Sequence, residues 1–198
     1  MSRTLPARAH RIAFAAAALA TAAIGVGCTV TPMPPTVPGT PVVVFDIDGT
    51  LTDGELSTTP HPGALDAVEA YRAKGYDVVY VTARWDAVQR SSTESWLADN
   101  GFPDEELYMA PSLLLTDESK VDYKTDALTS IEATHAQVVY AYGDSSSDFD
   151  AYANVGVAPS RVFALQRAGS SSCQPGTWAA CLPDYVGHLS YIASQPAA

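Results

Sequence analysis

Short apolar runs alternate with helical stretches from residue 42 onward, and this alternation is what most constrains the fold. The first run, Val42–Phe45, is typical of a strand that is buried on both faces of a parallel sheet. Strands separated by helices require right-handed crossovers, so we predict an α/β fold with a five-stranded, mostly parallel sheet and helices on both faces. The other predicted strands cover 78–81, 107–109, 138–142 and 161–165, and the predicted helices cover 62–74, 86–100, 122–134, 147–154 and 184–194.

Composition fits one domain with a buried core, and it argues against a general nucleic-acid binder and against a membrane span after residue 30. The chain has 198 residues, of which 47% are hydrophobic and 17% are charged. Its 11 basic residues stand against 22 acidic residues, a net charge of -11. A general nucleic-acid binder is excluded, because neutralising phosphates needs clustered Lys and Arg. After residue 30 no apolar run is long enough for an ordinary membrane span.

The N-terminal region predicts export. Three arginines precede an uncharged, Ala-rich stretch at 12–27, and this order is typical of a secretory signal over residues 1–27. Cys28 follows small residues and resembles a bacterial lipoprotein cleavage site, which implies a lipid-modified cysteine that anchors the protein to a membrane. A plain signal peptide and an uncleaved anchor are the alternatives, because Gly25 stands where a branched apolar residue is usual. Residues 28–41 are rich in proline and predict an extended tether, which leaves 42–198 as the domain.

The two remaining cysteines are predicted to form a disulfide. With Cys28 lipidated, the remaining count is even, and exported proteins pair their cysteines. A Cys173–Cys181 bridge would close a short loop. The alternative is a pair of free thiols.

Two acidic pairs follow predicted strands at the edge of the sheet where α/β proteins bind ligands. Asp46 and Asp48 come directly after the first strand and point the same way if the strand geometry continues, while Gly49 permits a sharp exit. Asp144 and Asp148 lie four residues apart at a strand-to-helix turn, where compensation of the helix dipole is an alternative role for Asp148. Two like charges 4 Å apart repel by about 4 kcal/mol at an effective dielectric near 20, so a cation is needed. Because Mg²⁺ prefers carboxylate, water and phosphate oxygens, we predict a magnesium site.

Two further clusters supply groups that suit a phosphate. At the end of the second strand, the Thr82 hydroxyl and the backbone N–H of Ala83 can bind phosphate oxygens, and Arg84 stands at the rim to meet a substrate head group. Lys124 adds a fixed positive charge early in the third helix, with Lys120 as a rival for the same role. Carboxylates, a divalent cation, a lysine and a hydroxyl-plus-amide cradle together indicate phosphoryl transfer.

In this order, the four clusters resemble the haloacid dehalogenase (HAD) superfamily of aspartyl-phosphate phosphatases, which implies a HAD-like Rossmannoid fold. The resemblance implies that Asp46 attacks phosphorus and becomes phosphorylated, while Asp48 protonates the leaving oxygen and then activates water. It implies that Thr82 and Lys124 hold the phosphoryl oxygens. The implied metal set is Asp46, the Asp48 carbonyl, Asp144 and Asp148, the last in a supporting role.

Four segments narrow the resemblance to the lipin/Ned/Smp-type domain: 80–86, 96–103, 123–128 and 152–163. This group includes lipins, which are Mg²⁺-dependent phosphatidate phosphatases, and Nir/RdgB phosphatidylinositol-transfer proteins, whose domain senses phosphatidic acid. Asp144 stands where lipins carry Asn, which favours a working metal site. The gap between the first strand and first helix is too short for a large cap domain, so the pocket is expected to admit a phosphorylated small molecule or a phospholipid.

We therefore predict an exported, Mg²⁺-dependent phosphomonoester hydrolase, with phosphatidate as the substrate class that the narrower resemblance favours. One alternative is a broad-specificity exported acid phosphatase, although those enzymes usually carry Glu where Gly49 stands. The other is a non-catalytic module that binds phosphatidic acid, which would not require a general acid such as Asp48. A dehalogenase is disfavoured because Thr82 and the metal aspartates suit phosphate. Without residues 1–27 the chain has 8 basic and 22 acidic residues, so binding to anionic lipid would need a local basic patch.

Overall fold

The computed structural model describes residues 39–198. The predicted signal sequence, Cys28 and most of the predicted tether lie outside the described residues, so the predictions of export and lipid anchoring stay predictions. Among the described residues, no helix combines the length and the apolar character that crossing a bilayer requires.

The fold is the predicted α/β arrangement, built on a sheet in which every strand pair is parallel. The strand order is β3-β2-β1-β4-β5-β6, so β1 and β4 are neighbours at the centre of the sheet. The strands are β1 Val42–Phe45, β2 Asp77–Trp85, β3 Glu106–Ala110, β4 Val138–Gly143, β5 Val162–Leu165 and β6 Ala180–Leu182. The helices are α1 Ala64–Ala73, α2 Asp86–Asp99, α3 Asp117–Thr134, α4 Ser146–Asn154 and α5 Leu189–Ser194, with short 3-10 turns at Pro159–Arg161 and Val186–His188.

The sheet has six strands, so the predicted count of five was wrong by one edge strand. β6 has only three residues, all of them half-buried, and it therefore lacks the continuous apolar run that marks the buried strands. It pairs with β5 and carries Cys181, which forms the predicted disulfide with Cys173 at a Cα–Cα distance of 5.7 Å. Such a bridge is typical of exported proteins.

Alternation along β1 divides the core into two layers. Val43 and Phe45 face one layer, together with buried side chains of α1 and α5, while Val42 and Val44 face the other, together with side chains of α3 and α4. Both faces of the central strand are therefore covered, as the apolar run predicted. This burial fixes the carboxyl end of β1, where the candidate site begins.

Of two connections at the carboxyl edge, the one before α3 is shorter than predicted, and the one between β1 and α1 agrees with the prediction. Helix α3 begins at Asp117, earlier than the predicted 122, because the Thr116 hydroxyl accepts a hydrogen bond from the backbone N–H of Ser119 at 3.1 Å and caps the helix. The β1–α1 loop, residues 46–63, contains only a single antiparallel bridge between Thr52 and Pro60. It holds no cap domain, as predicted from its length.

A buried chain of polar groups crosses the aromatic layer. The Tyr142 hydroxyl lies 2.8 Å from the Tyr71 hydroxyl and 3.0 Å from His188 Nε2, and the Tyr142 ring stacks on Phe45. Desolvation by burial lowers the pKa of His188 to about 4, so His188 is neutral at pH 7. Because the Tyr142 hydroxyl links two buried polar groups, we expect it to contribute to the free energy of unfolding in addition to the packing of the ring.

We predict that Tyr142→Phe lowers the free energy of unfolding by about 1–3 kcal/mol, because it leaves the polar partners at Tyr71 and His188 without their shared hydroxyl. Urea denaturation at pH 7 measures this change. Tyr108→Phe is the matched control, since Tyr108 is only half-buried and its hydroxyl donates to the partly exposed Glu106, and a change within about 0.5 kcal/mol is expected. Equal losses in the two variants would contradict the assignment.

Candidate functional site

A cavity of about 240 Å³ opens at the carboxyl edge of the sheet, beside β1, β2 and β4. Half of the eight basic residues in 39–198 line it, together with four acidic residues, so the cavity is locally balanced although the chain is acidic. The basic residues that line it are Arg84, Lys120, Lys124 and Arg167, and the acidic ones are Asp46, Asp48, Glu55 and Asp144.

Asp46, Asp144 and Asp148 form a buried carboxylate cluster, with one oxygen of each within 4.8 Å of the others. Asp46 follows β1 and Asp144 follows β4, and these two strands pair in parallel with Phe45 opposite Tyr142. The backbone N–H of Asp46 continues this pairing by donating to the Tyr142 carbonyl at 3.0 Å. The residues that leave two adjacent parallel strands therefore meet, as the sequence predicted.

Gly49 makes room for this cluster. Its φ of 77° lies in the left-handed region, which favours glycine, and a Cβ there would overlap the Asp144 carboxylate. The chain can therefore turn away from Asp46 and Asp48 while its backbone stays against Asp144. A side chain at this position would require the Asp144 carboxylate to move.

Lys124 is the buried cation of the cluster. Its Nζ donates to Asp46 Oδ1 at 2.7 Å and also to Asp148 Oδ1. Burial alone would lower the pKa of this ammonium, but Asp148 and Asp46 raise it above its usual value, so Lys124 stays charged. Lys120, the rival in the sequence, lies at the cavity rim, 3.5 Å from Asp117.

Asp46 remains short of positive charge despite this lysine. Burial raises its pKa well above the usual range, Lys124 opposes that shift, and Asp148 and Asp144 reinforce it. The second oxygen of Asp46 accepts a hydrogen bond from Thr50 Oγ1 at 3.1 Å. The cluster therefore favours any added cation near Asp46.

Asp148 organises the start of α4. Its Oδ2 accepts hydrogen bonds from the backbone N–H groups of Asp144, at 3.2 Å, and Ser145, at 3.0 Å, and from Ser145 Oγ at 2.8 Å. Together with the Lys124 contact, both Asp148 oxygens are engaged by protein donors. The prediction that Asp148 supports a metal site stays a prediction, and these contacts give it a structural role as well.

The Asp48 carboxylate lies apart from the cluster. Arg84 holds it through Nε at 2.9 Å and through Nη2 at 2.6 Å, and Thr82 Oγ1 is 3.3 Å from Asp48 Oδ2. Thr82 and Arg84 therefore contact the predicted general acid, and their predicted contacts with a phosphate stay predictions. Ala83 lines the cavity where predicted.

Arg167 and Glu55 were missed by sequence reasoning. Arg167 Nε donates to Asp144 Oδ2, and its Nη2 lies 3.0 Å from Glu55 Oε1 in the β1–α1 loop. Burial raises the pKa of Asp144 to about 7, Asp148 adds to this shift and Arg167 opposes it. The sequence could have indicated Arg167, because this residue follows a predicted strand, β5, at the same carboxyl edge as the other site residues.

We predict that Lys124→Met lowers the free energy of unfolding by about 3–5 kcal/mol at pH 7, because it leaves Asp46 and Asp148 buried without their cation. Lowering the pH from 7 to 5 recovers part of the loss, since carboxyls with raised pKa values bind protons more readily in the folded state than in the unfolded chain. Urea denaturation at both pH values measures this.

Lys120→Met is the control on the same face of the same helix. Its ammonium is partly exposed and makes only a loose ion pair, so a change below about 1 kcal/mol with little pH dependence is expected. A Lys124 variant as stable as this control would show that the lysine does not balance the cluster.

Two curated relatives of this chain are much longer than the chain itself. Protein retinal degeneration B of Drosophila melanogaster is 32% identical over 182 residues, which cover 87% of this chain and 14% of that protein. Membrane-associated phosphatidylinositol transfer protein 1 of Homo sapiens is 32% identical over 163 residues, which cover 78% of this chain and 12% of that protein. The chain therefore spans only a small part of the curated relatives it matches.

Two of the solved structures with a similar fold are described as phosphatases. A putative HAD-like phosphatase from Mesorhizobium loti has a TM-score of 0.56 at 19% identity, covering 80% of this chain and 87% of that one. The D,D-heptose 1,7-bisphosphate phosphatase from B. bronchiseptica, complexed with magnesium and phosphate, has a TM-score of 0.53 at 18% identity, covering 77% and 97%. At these identities the likeness shows the fold alone.

The family match covers the elements that build the site. The family described as PITM 1-3, LNS2 domain matches residues 43–166, a segment that runs from β1 to the end of β5 and contains all four sequence clusters. The chain therefore belongs to the LNS2 family of lipin-like domains, which have the HAD fold.

Proposed function

We propose that this domain hydrolyses phosphomonoesters with the help of Mg²⁺, through a phosphorylated Asp46, and that its substrate is a phosphate ester held at a membrane surface, such as phosphatidate. The observation that carries the proposal is the meeting of Asp46, Asp144 and Lys124 at one end of an open cavity. A nucleophile, a second carboxylate and a fixed cation are what phosphoryl transfer requires in one place.

The donor set fits a hard divalent cation. Its oxygens come from buried carboxylates, and burial raises the pKa values of Asp46 and Asp144 although Lys124 and Arg167 lie beside them. Asp46 and Asp144 would hold the ion, with the Asp48 carbonyl as the further ligand that the HAD resemblance implies. A bound Mg²⁺ would supply charge neutralisation for the transferred phosphoryl group.

Lys124 and Thr50 prepare Asp46 as the nucleophile. Lys124 favours the ionised carboxylate against the effect of burial, and Thr50 fixes the second oxygen. In the proposed reaction one Asp46 oxygen forms a bond to phosphorus while the ester oxygen leaves with a proton from Asp48. Water then attacks phosphorus while Asp48 takes its proton. The bond between Asp46 and phosphorus breaks, which releases inorganic phosphate and restores Asp46.

Exposed apolar side chains around the cavity support a substrate held in a bilayer. Four of the five large hydrophobic residues exposed in the described part of the chain lie on segments that follow β1, β2 or β3, at the edge where the cavity opens. They are Leu56 at 101% exposure, Val88 at 65%, Leu113 at 62% and Leu115 at 81%. Exposed apolar groups at the same edge as a polar pocket suit contact with lipid, and the phosphatidylinositol transfer proteins among the relatives are described as membrane-associated.

Gly49 argues against the broad-specificity acid phosphatase. Those enzymes usually carry Glu at this position, and a Cβ on Gly49 would overlap the Asp144 carboxylate. The backbone at this position therefore packs against Asp144 in a way that a Glu side chain would not allow without movement of that carboxylate.

Binding of phosphatidic acid without turnover is the second candidate, and the Asp48–Arg84 contact favours it. Arg84 and Thr82 together engage both oxygens of the Asp48 carboxylate, whereas a general acid must be free to reach the leaving oxygen of the substrate. Asp48 would have to leave Arg84 at some point in a catalytic cycle. A pure binding module has no such requirement.

We predict that the purified protein with Mg²⁺ hydrolyses phosphatidate in mixed micelles faster than p-nitrophenyl phosphate, and that Asp46→Asn lowers both rates by about 10³-fold or more because the nucleophile is lost. Release of inorganic phosphate is the measurement. Asp150→Asn, which removes an exposed carboxylate on α4, is the matched control and retains activity.

The outcomes separate the candidates. No turnover of either ester, with retained binding to phosphatidate-containing vesicles, would support the binding module. Comparable turnover of many soluble esters would support the generalist. Equal rates for the wild type and Asp46→Asn would rule out an aspartyl-phosphate route.

We predict that the double change Leu113→Ser and Leu115→Ser lowers turnover or binding of phosphatidate in vesicles by about tenfold, because two exposed apolar side chains no longer enter the lipid. Hydrolysis or binding of soluble phosphate esters stays unchanged, since neither leucine lines the cavity. Vesicle sedimentation and phosphate release measure the two effects. A parallel loss on soluble and vesicle-held esters would contradict a role in lipid contact.

A further inference from the structure

Arg167 enters the cavity from beyond the segment that defines the family. The family match ends at residue 166, and Arg167 is the next residue, two positions after the end of β5. Its guanidinium donates to Asp144 Oδ2 through Nε and pairs with Glu55 through Nη2 at 3.0 Å. Its side chain is partly exposed, so the group lies between the buried cluster and the cavity.

The backbone around Arg167 is fixed on both sides. The Ala168 N–H donates to the Asp53 carbonyl in the β1–α1 loop at 2.5 Å, and the Gln166 N–H donates to the Leu182 carbonyl in β6 at 2.9 Å. Cys181 in β6 is bonded to Cys173. Arg167 therefore stands on a defined stretch of backbone, and only its side chain is free to choose between partners in the cavity.

Arg167 and a divalent cation would compete for the Asp144 carboxylate. A divalent cation held by Asp46 and Asp144 would take the negative charge that Asp144 now shares with Arg167. Two cations on one carboxylate repel each other, which weakens the Arg167 contact when the ion is bound. A guanidinium carries five N–H donors in a fork that matches phosphate geometry, so a bound phosphate offers it a new partner.

We propose that Arg167 is a phosphate-binding residue that exchanges partners: it neutralises Asp144 in the absence of a divalent cation and binds the phosphate of the ligand when the cation occupies Asp144. This inference rests on the proposed phosphate chemistry of the cavity. The Arg167 guanidinium would add a fourth phosphate-binding group to Thr82, the Ala83 N–H and Lys124, which the sequence predicts. It would also make the divalent cation and the phosphate bind cooperatively.

The test measures two affinities in the full chain by isothermal titration calorimetry. Mg²⁺ is titrated into metal-free protein, and inorganic phosphate is titrated at saturating Mg²⁺. Arg167→Gln is expected to tighten Mg²⁺ binding by about fivefold or more, because the competing guanidinium is gone. The same variant weakens phosphate binding by about tenfold or more, because a charge-assisted contact is lost. Arg167→Lys restores part of the phosphate affinity, since it keeps the charge but not the fork.

Arg161→Gln is the matched control, because it removes the same charge from the other end of β5, where Arg161 lies 5.0 Å from the Tyr140 ring centroid. It leaves both affinities close to those of the wild type. If Arg167→Gln behaves like this control, or weakens Mg²⁺ and phosphate alike, Arg167 is a structural ion pair and the inference is overturned. If the wild type with Mg²⁺ does not bind phosphate at all, the proposed function itself fails, and the inference fails with it.

Discussion

The structure depends on placing three carboxylates around one lysine inside the protein. Asp46, Asp144 and Asp148 are each almost fully buried, and Lys124 contacts two of them. Burial and mutual repulsion raise the pKa of Asp46, so the cluster persists only because the surrounding core holds it together. In the proposed function, this shortage of positive charge is what would allow the cluster to hold a divalent cation beside a phosphate.

Sheet topology supplies the geometry of this cluster. β1 and β4 are adjacent only because the chain crosses over after β3 and returns to the centre of the sheet. Their pairing brings Asp46 and Asp144 together although they are 98 positions apart in the sequence. Gly49 then keeps the backbone close to Asp144 without a side chain in between. A substitution that shifts either strand would therefore change the distance between the Asp46 and Asp144 carboxylates even where the overall fold is kept.

Residues placed by buried strands were predictable from the sequence, whereas contacts between distant loops were not. Asp46 and Asp144 were predictable because apolar runs mark their strands. Alternation along a strand also grouped Asp48 with Asp46, but β1 ends at Phe45, so that rule no longer holds and Asp48 turns towards Arg84. The half-buried β6 has no apolar run. The pairing of Arg167 with Glu55 joins two loops whose proximity no local pattern encodes.

The difference between a phosphatase and a phosphate sensor comes down to whether the Asp48 carboxylate is free to act on the bound phosphate ester. Both functions need the carboxylate cluster, Lys124 and an open cavity, and the structure has all three. Arg84 binds both Asp48 oxygens through Nε and Nη2, and this contact keeps the carboxylate from reaching a substrate. A phosphate that binds beside Arg84 competes with Asp48 for the same guanidinium, because both are anions that accept its fork of donors. Ligand binding would therefore loosen the contact that holds the Asp48 carboxylate, so the Asp48–Arg84 pair is compatible with turnover as well as with binding.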